Sequence, residues 1–285
     1  ADELSLYGRF DFILAKDGTP KILEFNADTP TSLLEASVIQ WQWKEDVFPE
    51  CDQFNGIHEG LVQSWKDIFP KKGEIHFAGA LENNEDTGTL QYLASTAMEA
   101  GFSTRVLDMQ ALDLQNGRFF DPAGELVNRC FKLYPWEWMV DESPDGCLAE
   151  MEWLEPIWKL VMSNKAILAT LYELFPDSPY VLPCYLSRPR SGLFCKKPVF
   201  SREGHNVSVV DIRNWEEHVR IAETEGDYNT GAYVYQEYVE PTAYSGRYPV
   251  IGSWIIGGEA AGIGIRENRM EVTDNLSEFV PHIIG

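Results

Sequence analysis

Arg9, Asp11, Glu24 and Asn26 are the residues whose types and spacing first suggest chemistry in this chain. They lie in YGRFDFILAKDGTPKILEFNADTPTS, residues 7–32, where strand-forming residues flank an Asp17-Gly18 turn signal. With those two as the central turn residues, paired positions sum to 35, so Asp11 faces Glu24 and Arg9 faces Asn26. Side chains alternate with period two. The four polar residues therefore share one face, Phe10, Phe12, Leu23 and Phe25 share the other, and Pro20 falls opposite Ala15. Two facing carboxylates repel unless something neutralises them. A hard divalent cation such as Mg²⁺ does so, accepting Asp, Glu and Asn oxygens together with phosphate and water. Arg9 beside them suggests an anion held next to the metal. A solvated polar face on a half-exposed hairpin is the other reading of the same residues.

A second group of candidates is basic. In KKPVFSREGHNVSV (196–209) a strand ends in Lys196-Lys197, and a short loop carries Ser201, Arg202 and Gly204 before a second strand. Such a loop can fold over a triphosphate, with backbone N–H groups and Arg202 on the phosphates and Lys197 on the inner ones. An exposed basic loop is the plainer alternative. The strand YVYQEYVE places Gln236 and Tyr238 on the face opposite Tyr235 and Glu237, and a strand-to-linker segment there can offer backbone groups to an adenine edge. Arg266 ends the strand GIGIRE and is a second guanidinium able to reach a phosphoryl group. No Walker A, G-x-G-x-x-G or kinase catalytic-loop sequence is present.

The elements that must position these residues follow from the pattern. Ser32-Leu-Leu-Glu35 reads as a capping box opening a helix to about Phe48, and a second helix is expected over residues 56–69. IHFAGA, a capped helix ending before Gly101, and STRVLDM form one β-α-β unit, which sets the class as α/β (α+β). The stretch NRCFKLYPWEWM (128–139) is aromatic-rich and suits core packing or a site rim. Two helices broken near Ser163-Asn164 follow. Then come strands at 193–199 and 206–212, a helix at 214–225, a strand at 232–240 and a long hairpin turning at Gly257-Gly258. No internal repeat is visible.

Composition narrows the function classes. The chain has 285 residues, 44% of them apolar, enough for one large domain or two coupled subdomains. Lys and Arg number 23 against 45 Asp and Glu, a formal charge of −22, which disfavours nucleic acid and anionic membrane and suits solubility or a polycationic substrate. Five cysteines without a C-x-x-C pair fit reduced thiols. With no export-type segment and no run long enough to span a membrane, the expected location is cytoplasmic. Asn206-Val-Ser208 and Asn275-Leu-Ser277 are then chance glycosylation matches. A strand resembling active-site machinery begins so early that a native N-terminal part is expected to be missing.

YGRFDF…KILEFNADTPTSLLEA, EPIWK…SNKAIL, KKPVFSREGHNV, YVYQEYV and YPVIGSWIIGGEAAGIGIRE…FVPH, in this order, resemble the glutathionylspermidine synthase family over nearly the whole chain. The resemblance implies a single ATP-grasp synthetase domain over 1–285, with the metal-binding hairpin preceding a lid at roughly 160–235 that carries the nucleotide lysines. It also implies ATP-dependent amide formation between a peptide carboxylate (glutathione-like) and an amine (spermidine-like), with ATP and Mg²⁺ as cofactors. Asp11, Glu24 and Asn26 match the family's magnesium ligands, and Arg9 the arginine that stabilises the transferring phosphoryl group. Lys165 and Lys197 match its ATP-phosphate lysines, Arg202 and Gly204 fall in the loop that closes over the triphosphate, and Arg266 matches a second active-site arginine. Gln236, Glu237, Tyr238 and Val239 match the adenine-contacting linker, Ser32 lies in the peptide-substrate segment, and Glu85 aligns with an acidic residue near the polyamine site. Nothing here resembles the cysteine amidase of the bifunctional members, and the family's synthetase region has further sequence upstream. An ATP-grasp ligase for another peptide or amino acid, and a non-catalytic nucleotide- or polyamine-binding protein, are the competing readings.

Overall fold

The hairpin expected at residues 7–26 is formed by β1 (Tyr7–Leu14) and β2 (Pro20–Asn26). It is seen in a computed structural model that describes residues 4–202, 204–221, 224, 226, 231–270 and 277–285. Its polar end has the predicted register: Arg9 pairs with Asn26, Phe10 with Phe25 and Asp11 with Glu24. The turn differs. Ala15 N–H donates to Thr19 O at 3.0 Å and Gly18 N–H to Ala15 O at 2.8 Å, giving a three-residue loop. Gly18 alone among the loop residues has positive φ (+81°). A two-residue turn of the first primed type needs positive φ at Asp17 as well. Asp17 instead accepts the Thr19 N–H on its side chain at 2.9 Å, a local bond that favours an ordinary turn conformation. Pro20 therefore faces Leu14 rather than Ala15, and Phe12 faces Ile22. An irregularity after Asp11 absorbs the extra residue, Leu23, and restores the expected pairing where the polar residues lie. On the apolar face Phe10 and Phe25 stack with ring centroids 4.0 Å apart.

After the hairpin, a π-helical turn (Glu35–Ile39) runs into α1 (Gln40–Val47). The capping box expected at Ser32 does not start it. Ser32 has φ +66°, and its carbonyl oxygen receives the Ala36 N–H at 3.1 Å. Next, α2 (Ile57–Ile68), β3 (Glu74–Gly79), α3 (Asn84–Glu99) and β4 (Ser103–Asp108) supply the β-α-β unit as expected. Asn83 caps α3 by accepting the Glu85 N–H, and Gly101 (φ +96°) ends it, with Phe102 N–H bonded to Ala97 O at 3.0 Å. Three short antiparallel strands follow, β5 (Asp113–Gln115), β6 (Arg118–Phe120) and β7 (Leu126–Val127). Then come β8 (Arg129–Leu133), α4 (Trp136–Glu142), α5 (Pro144–Cys147) and β9 (Glu152–Leu154). Strands β4-β3-β8-β9 form a parallel sheet.

Helices α6 (Lys159–Ser163) and α7 (Ile167–Leu174) break where expected and lead to a second five-stranded sheet. Its strands are β10 (Cys184–Tyr185), β11 (Gly192–Pro198), β12 (Ser208–Arg213), β13 (Glu216–Ile221) and β14 (Tyr233–Glu237), in the order β10-β14-β11-β12-β13. The helix expected at 214–225 is thus replaced by a turn at 214–215 and strand β13 over Glu216–Ile221, and residues 222, 223 and 225 lie outside the described residues. Asn214 and Trp215 take φ +50° and +73°, a tight turn that folds β13 back on β12. Glu217 on β13 then reaches Lys196 Nζ at 2.9 Å and Tyr235 Oη at 2.7 Å, cross-strand bonds a helix would not offer.

The long hairpin is β15 (Tyr248–Ile256) and β16 (Glu259–Asn268), turning at Gly257-Gly258 with φ +58° and +91°. With β17 (Glu278–Val280) it completes the sheet β17-β16-β15-β1-β2, so β1 lies between β2 and β15. The main core packs this sheet and the parallel sheet against α2 and α3, around buried Trp65, Phe77, Phe131 and Trp254. All five cysteines are free, as their spacing suggested. Among the described residues no helix is long and apolar enough to cross a membrane.

Candidate active site

Asp11, buried on β1, is the meeting point of three cationic or amide groups. Arg9 grips it with two nitrogens, Nε on Oδ1 at 2.6 Å and NH2 on Oδ2 at 2.9 Å. Arg266 from β16 donates to Oδ2 at 2.9 Å, and Asn26 Nδ2 lies 3.3 Å from the same oxygen. Arg9 also donates to Thr31 O and lies 5.7 Å from the Trp254 ring centroid. Burial opposes its charge, but Asp11 and Glu24 outweigh that and hold the guanidinium protonated.

Glu24, opposite Asp11, accepts from Asn26 at 3.2 Å and pairs with Lys165 Nζ at 2.9 Å. Desolvation pushes this carboxyl up, yet Lys165 and then Lys197 hold it far below the usual carboxylate range. Lys197, at the end of β11, donates to Gln236 Oε1 at 2.7 Å and Leu23 O at 3.0 Å, and burial lowers its pKa. Gln236 returns a bond to Ile22 O at 2.8 Å, so one network ties β11 and β14 to the metal-expected hairpin. Lys165 reaches Ser201 O from the break between α6 and α7.

Two cavities meet at this junction. One, of about 80 Å³, is lined by Asp11, Glu24, Lys165, Lys197, Gly204 and the segment Gln236, Glu237, Tyr238 and Val239, with apolar Ile13, Leu23 and Leu182. Leu23 faces it because of the irregularity in β2, not the apolar side where simple alternation puts it. The N–H groups of Glu237 and Tyr238 are taken by Pro183 O and Leu193 O. The other cavity, of about 200 Å³, is lined by Arg9, Glu24, Asn26, Glu85, Arg202, Gly204 and Arg266. Every expected site residue thus lines one cavity or both, except Ser32, which lines neither; its neighbours Thr29, Pro30 and Thr31 line the larger one.

Whether the polar face suits a hard cation can be judged from its donors. Asp11 and Glu24 converge on one atom, Asn26 Nδ2, at 3.3 and 3.2 Å. A half-turn of that amide puts its oxygen where the nitrogen stands, so that Asp11, Glu24 and Asn26 offer three neighbouring hard oxygen donors. Among the described residues no three His, Cys, Asp or Glu side chains gather as a metal cage.

Several site residues escaped the sequence reading. Glu137 on α4 accepts from Arg202 NH2, and Thr29 Oγ1 accepts from Arg202 NH1 at 2.6 Å. Asp86, Tyr134 and Trp138 line the larger cavity beside Glu85. The only hint was the aromatic stretch through WEW after Tyr134-Pro135, which suits core packing or a site rim; Trp138 is 42% exposed, on the rim side of that choice, while Trp136 is buried.

A family model described as glutathionylspermidine synthase preATP-grasp matches residues 1–285. A Haemophilus influenzae protein, provisionally named an acid–amine ligase, is 39% identical over 97% of this chain and 74% of its own length. Trypanothione synthetase of Crithidia fasciculata is 28% identical over 95% of this chain and 46% of its own. The bifunctional glutathionylspermidine synthetase/amidase of Escherichia coli is 26% identical over 97% and 49%. The chain spans about half the length of these last two. Its mixed α/β fold, with several sheets, is similar to the crystal structure of a Methylobacillus flagellatus protein provisionally named a gamma-glutamylcysteine synthetase (TM-score 0.67, 9% identity, 98% of this chain and 80% of that one). It is also similar to a glutathione synthetase-like effector of Globodera pallida (TM-score 0.59, 10% identity, 99% and 77%).

Proposed function

The chain belongs to the glutathionylspermidine synthase family, and on that premise we propose that it is the ATP-grasp synthetase part of an ATP-dependent carboxylate–amine ligase. The observation that carries the reading is the meeting of two differently built cavities at Glu24 and Gly204. The smaller combines two lysines, apolar walls and a strand-to-linker segment, as a nucleotide requires. The larger is lined by Arg9, Arg202 and Arg266 together with Glu85, charges of the two signs that a carboxylate and an amine require.

In this reading the lid is the 160–235 region, and Lys165 and Lys197 hold the inner phosphates while Gln236–Val239 borders the adenine. Bound Mg²⁺, held by Asp11, Glu24 and Asn26, would offset charge on the phosphoryl oxygens. A substrate carboxylate oxygen attacks the γ-phosphorus, the bond to the β-phosphate oxygen breaks, and ADP leaves. Arg9, preset by Asp11 and Thr31, and Arg266, preset by Asp11, orient the equatorial oxygens, a contribution of positioning and electrostatics. An uncharged amine nitrogen then attacks the acyl carbon and phosphate departs. Amines titrate near pH 10, so one proton must be lost first, and in this reading Glu85, which lines the larger cavity, accepts or orients it.

Glutathione-like and spermidine-like compounds are the proposed substrates, from the family relationship. A ligase for another peptide or amino acid is the alternative, and the 39% identity to a protein provisionally named an acid–amine ligase is consistent with either substrate pair. The test is ADP release by the full-length protein over a panel of peptides and amines, with mass spectrometry of the product. A glutathionylspermidine-type conjugate supports the first substrate pair, a different conjugate selects the alternative, and no ADP with any pair overturns both. Glu24→Gln should abolish Mg²⁺-dependent turnover with the fold intact; retained turnover removes the hairpin from the metal role.

A further inference from the structure

Lys132 is a charged residue in the middle of β8, flanked by Phe131 and Leu133, and it is fully buried together with Asp28. The two lie 2.6 Å apart. Lys132 Nζ also donates to Tyr134 O at 2.9 Å, and Asp28 Oδ2 accepts the Trp136 N–H at 3.0 Å. On its backbone side Asp28 N–H donates to Ser163 Oγ at 2.9 Å, at the end of α6 and two residues before Lys165. Neither residue lines either cavity. The segments they join do, each supplying part of its lining: Thr29 and Thr31 after Asp28, Tyr134 and Trp138 after Lys132. Thr29 and Thr31 are in turn the residues that receive Arg202 and Arg9.

A buried ion pair is a poor stabiliser, because apolar side chains of similar volume commonly do as well or better. What such side chains cannot supply is three directed bonds that fix two loops against each other, beside the bond from the Asp28 backbone N–H to Ser163 of the lid. We infer that Asp28 and Lys132 are positioning residues: the pair sets the distance between these two segments of the larger cavity's lining and holds Thr29 and Thr31 where they aim Arg202 and Arg9. The inference rests on the ligase reading for its effect on turnover, but not for its effect on the two loops.

The test is the double variant Asp28→Asn/Lys132→Met in the full-length protein. It removes both charges together, so no lone buried charge is left to unfold the chain, and the introduced amide keeps an oxygen to accept the Trp136 N–H. A melting temperature within a few degrees of the parent is expected. With the carboxylate and amine that the panel selects, kcat should fall about 100-fold, while KM for ATP changes by no more than about fivefold, because Lys165 and Lys197 keep their partners and only the Arg202 contact is loosened. Hydrogen exchange should quicken at least tenfold in residues 27–31 and 134–138 and stay unchanged in β3. A purely structural pair would lower the melting temperature and loosen β3 equally. That result, unchanged exchange in both loops, or unchanged kcat, overturns the inference. A parent protein that releases no ADP defeats the ligase reading instead, and the exchange pattern still decides whether the pair holds the two segments.

Discussion

One methyl group added at Gly252 should disable the site without unfolding it. Gly252 lies on β15 directly opposite Asp11, and a Cβ there would stand 2.7 Å from Arg9 Cδ and 3.2 Å from its Nε. Ordinary contact begins near 3.4 Å, so the Arg9 side chain must retreat by about 0.7 Å. It has little room, being 4% exposed and bonded to both Asp11 oxygens and to Thr31 O. A displacement near 1 Å costs roughly 100-fold in rate, so Gly252→Ala should lose about 30- to 100-fold in kcat. Overpacking costs about 1–3 kcal/mol, and replacing a strand glycine returns about 0.5–1 kcal/mol. The net loss is about 0–2.5 kcal/mol, a fall in Tm of no more than about 10 °C. ADP release at 25 °C, on protein shown folded by its melt, reads the effect. The reasoning predicts a cycle: in an Arg9→Ala background Gly252→Ala should cost almost nothing more. Full activity in Gly252→Ala, or an equal loss in both backgrounds, would refute it.

Glu137→Gln should free Arg202 for the triphosphate and tighten ATP binding up to about fivefold, a partly exposed pair being worth about 1 kcal/mol at most; calorimetric titration reads this, and weaker binding would count against the proposed role of Arg202. His76 sits 3.8 Å from both Glu74 and Asp121, with Arg105 bonded to the same two carboxylates, and burial lowers its pKa below 6.5. The unfolded chain then takes up a proton first as pH falls, so stability should decline below about pH 6.5 and His76→Gln should flatten that decline; urea midpoints between pH 5 and 8 check it. Trp215→Gly should leave Tm unchanged or raise it by a few degrees, since a left-handed non-glycine residue costs about 1–2 kcal/mol and glycine returns about 0.5–1 kcal/mol of that in chain entropy. A clear fall in the melt would argue against the β12–β13 turn.

The polar end of the first hairpin was legible because alternation and the repulsion of facing acids are local facts. Its turn was not: whether Asp17-Gly18 closes a loop of two or three residues depends on where Asp17 spends its side-chain oxygen, and an irregularity at Leu23 hid the difference from the register of Asp11 and Glu24. The segment after Asn214 carries helix-compatible residues, and only the contacts of Glu217 with Lys196 and Tyr235 make it a strand. Glu137 and Asp28 were invisible because their partners, Arg202 and Lys132, lie 65 and 104 residues away. Lys132 left one trace, a charge inside an apolar strand.

The place of β1 between β2 and β15 also sets a schedule for biosynthesis. Asp11 and Arg266 are 255 residues apart, which at 5–20 residues per second separates their appearance by roughly 13 to 50 s. For that interval the hairpin has one sheet edge without its native neighbour β15 and a stacked pair of phenylalanines on its apolar face. Until Arg266 arrives, Asp11 and Glu24 keep a charged face beside that edge, the device that discourages strands of separate chains from pairing. The acids proposed to hold a metal in the folded protein would thus act earlier as guards against aggregation. Neutralising Glu24 should lower the yield of soluble protein before it changes the stability of what folds.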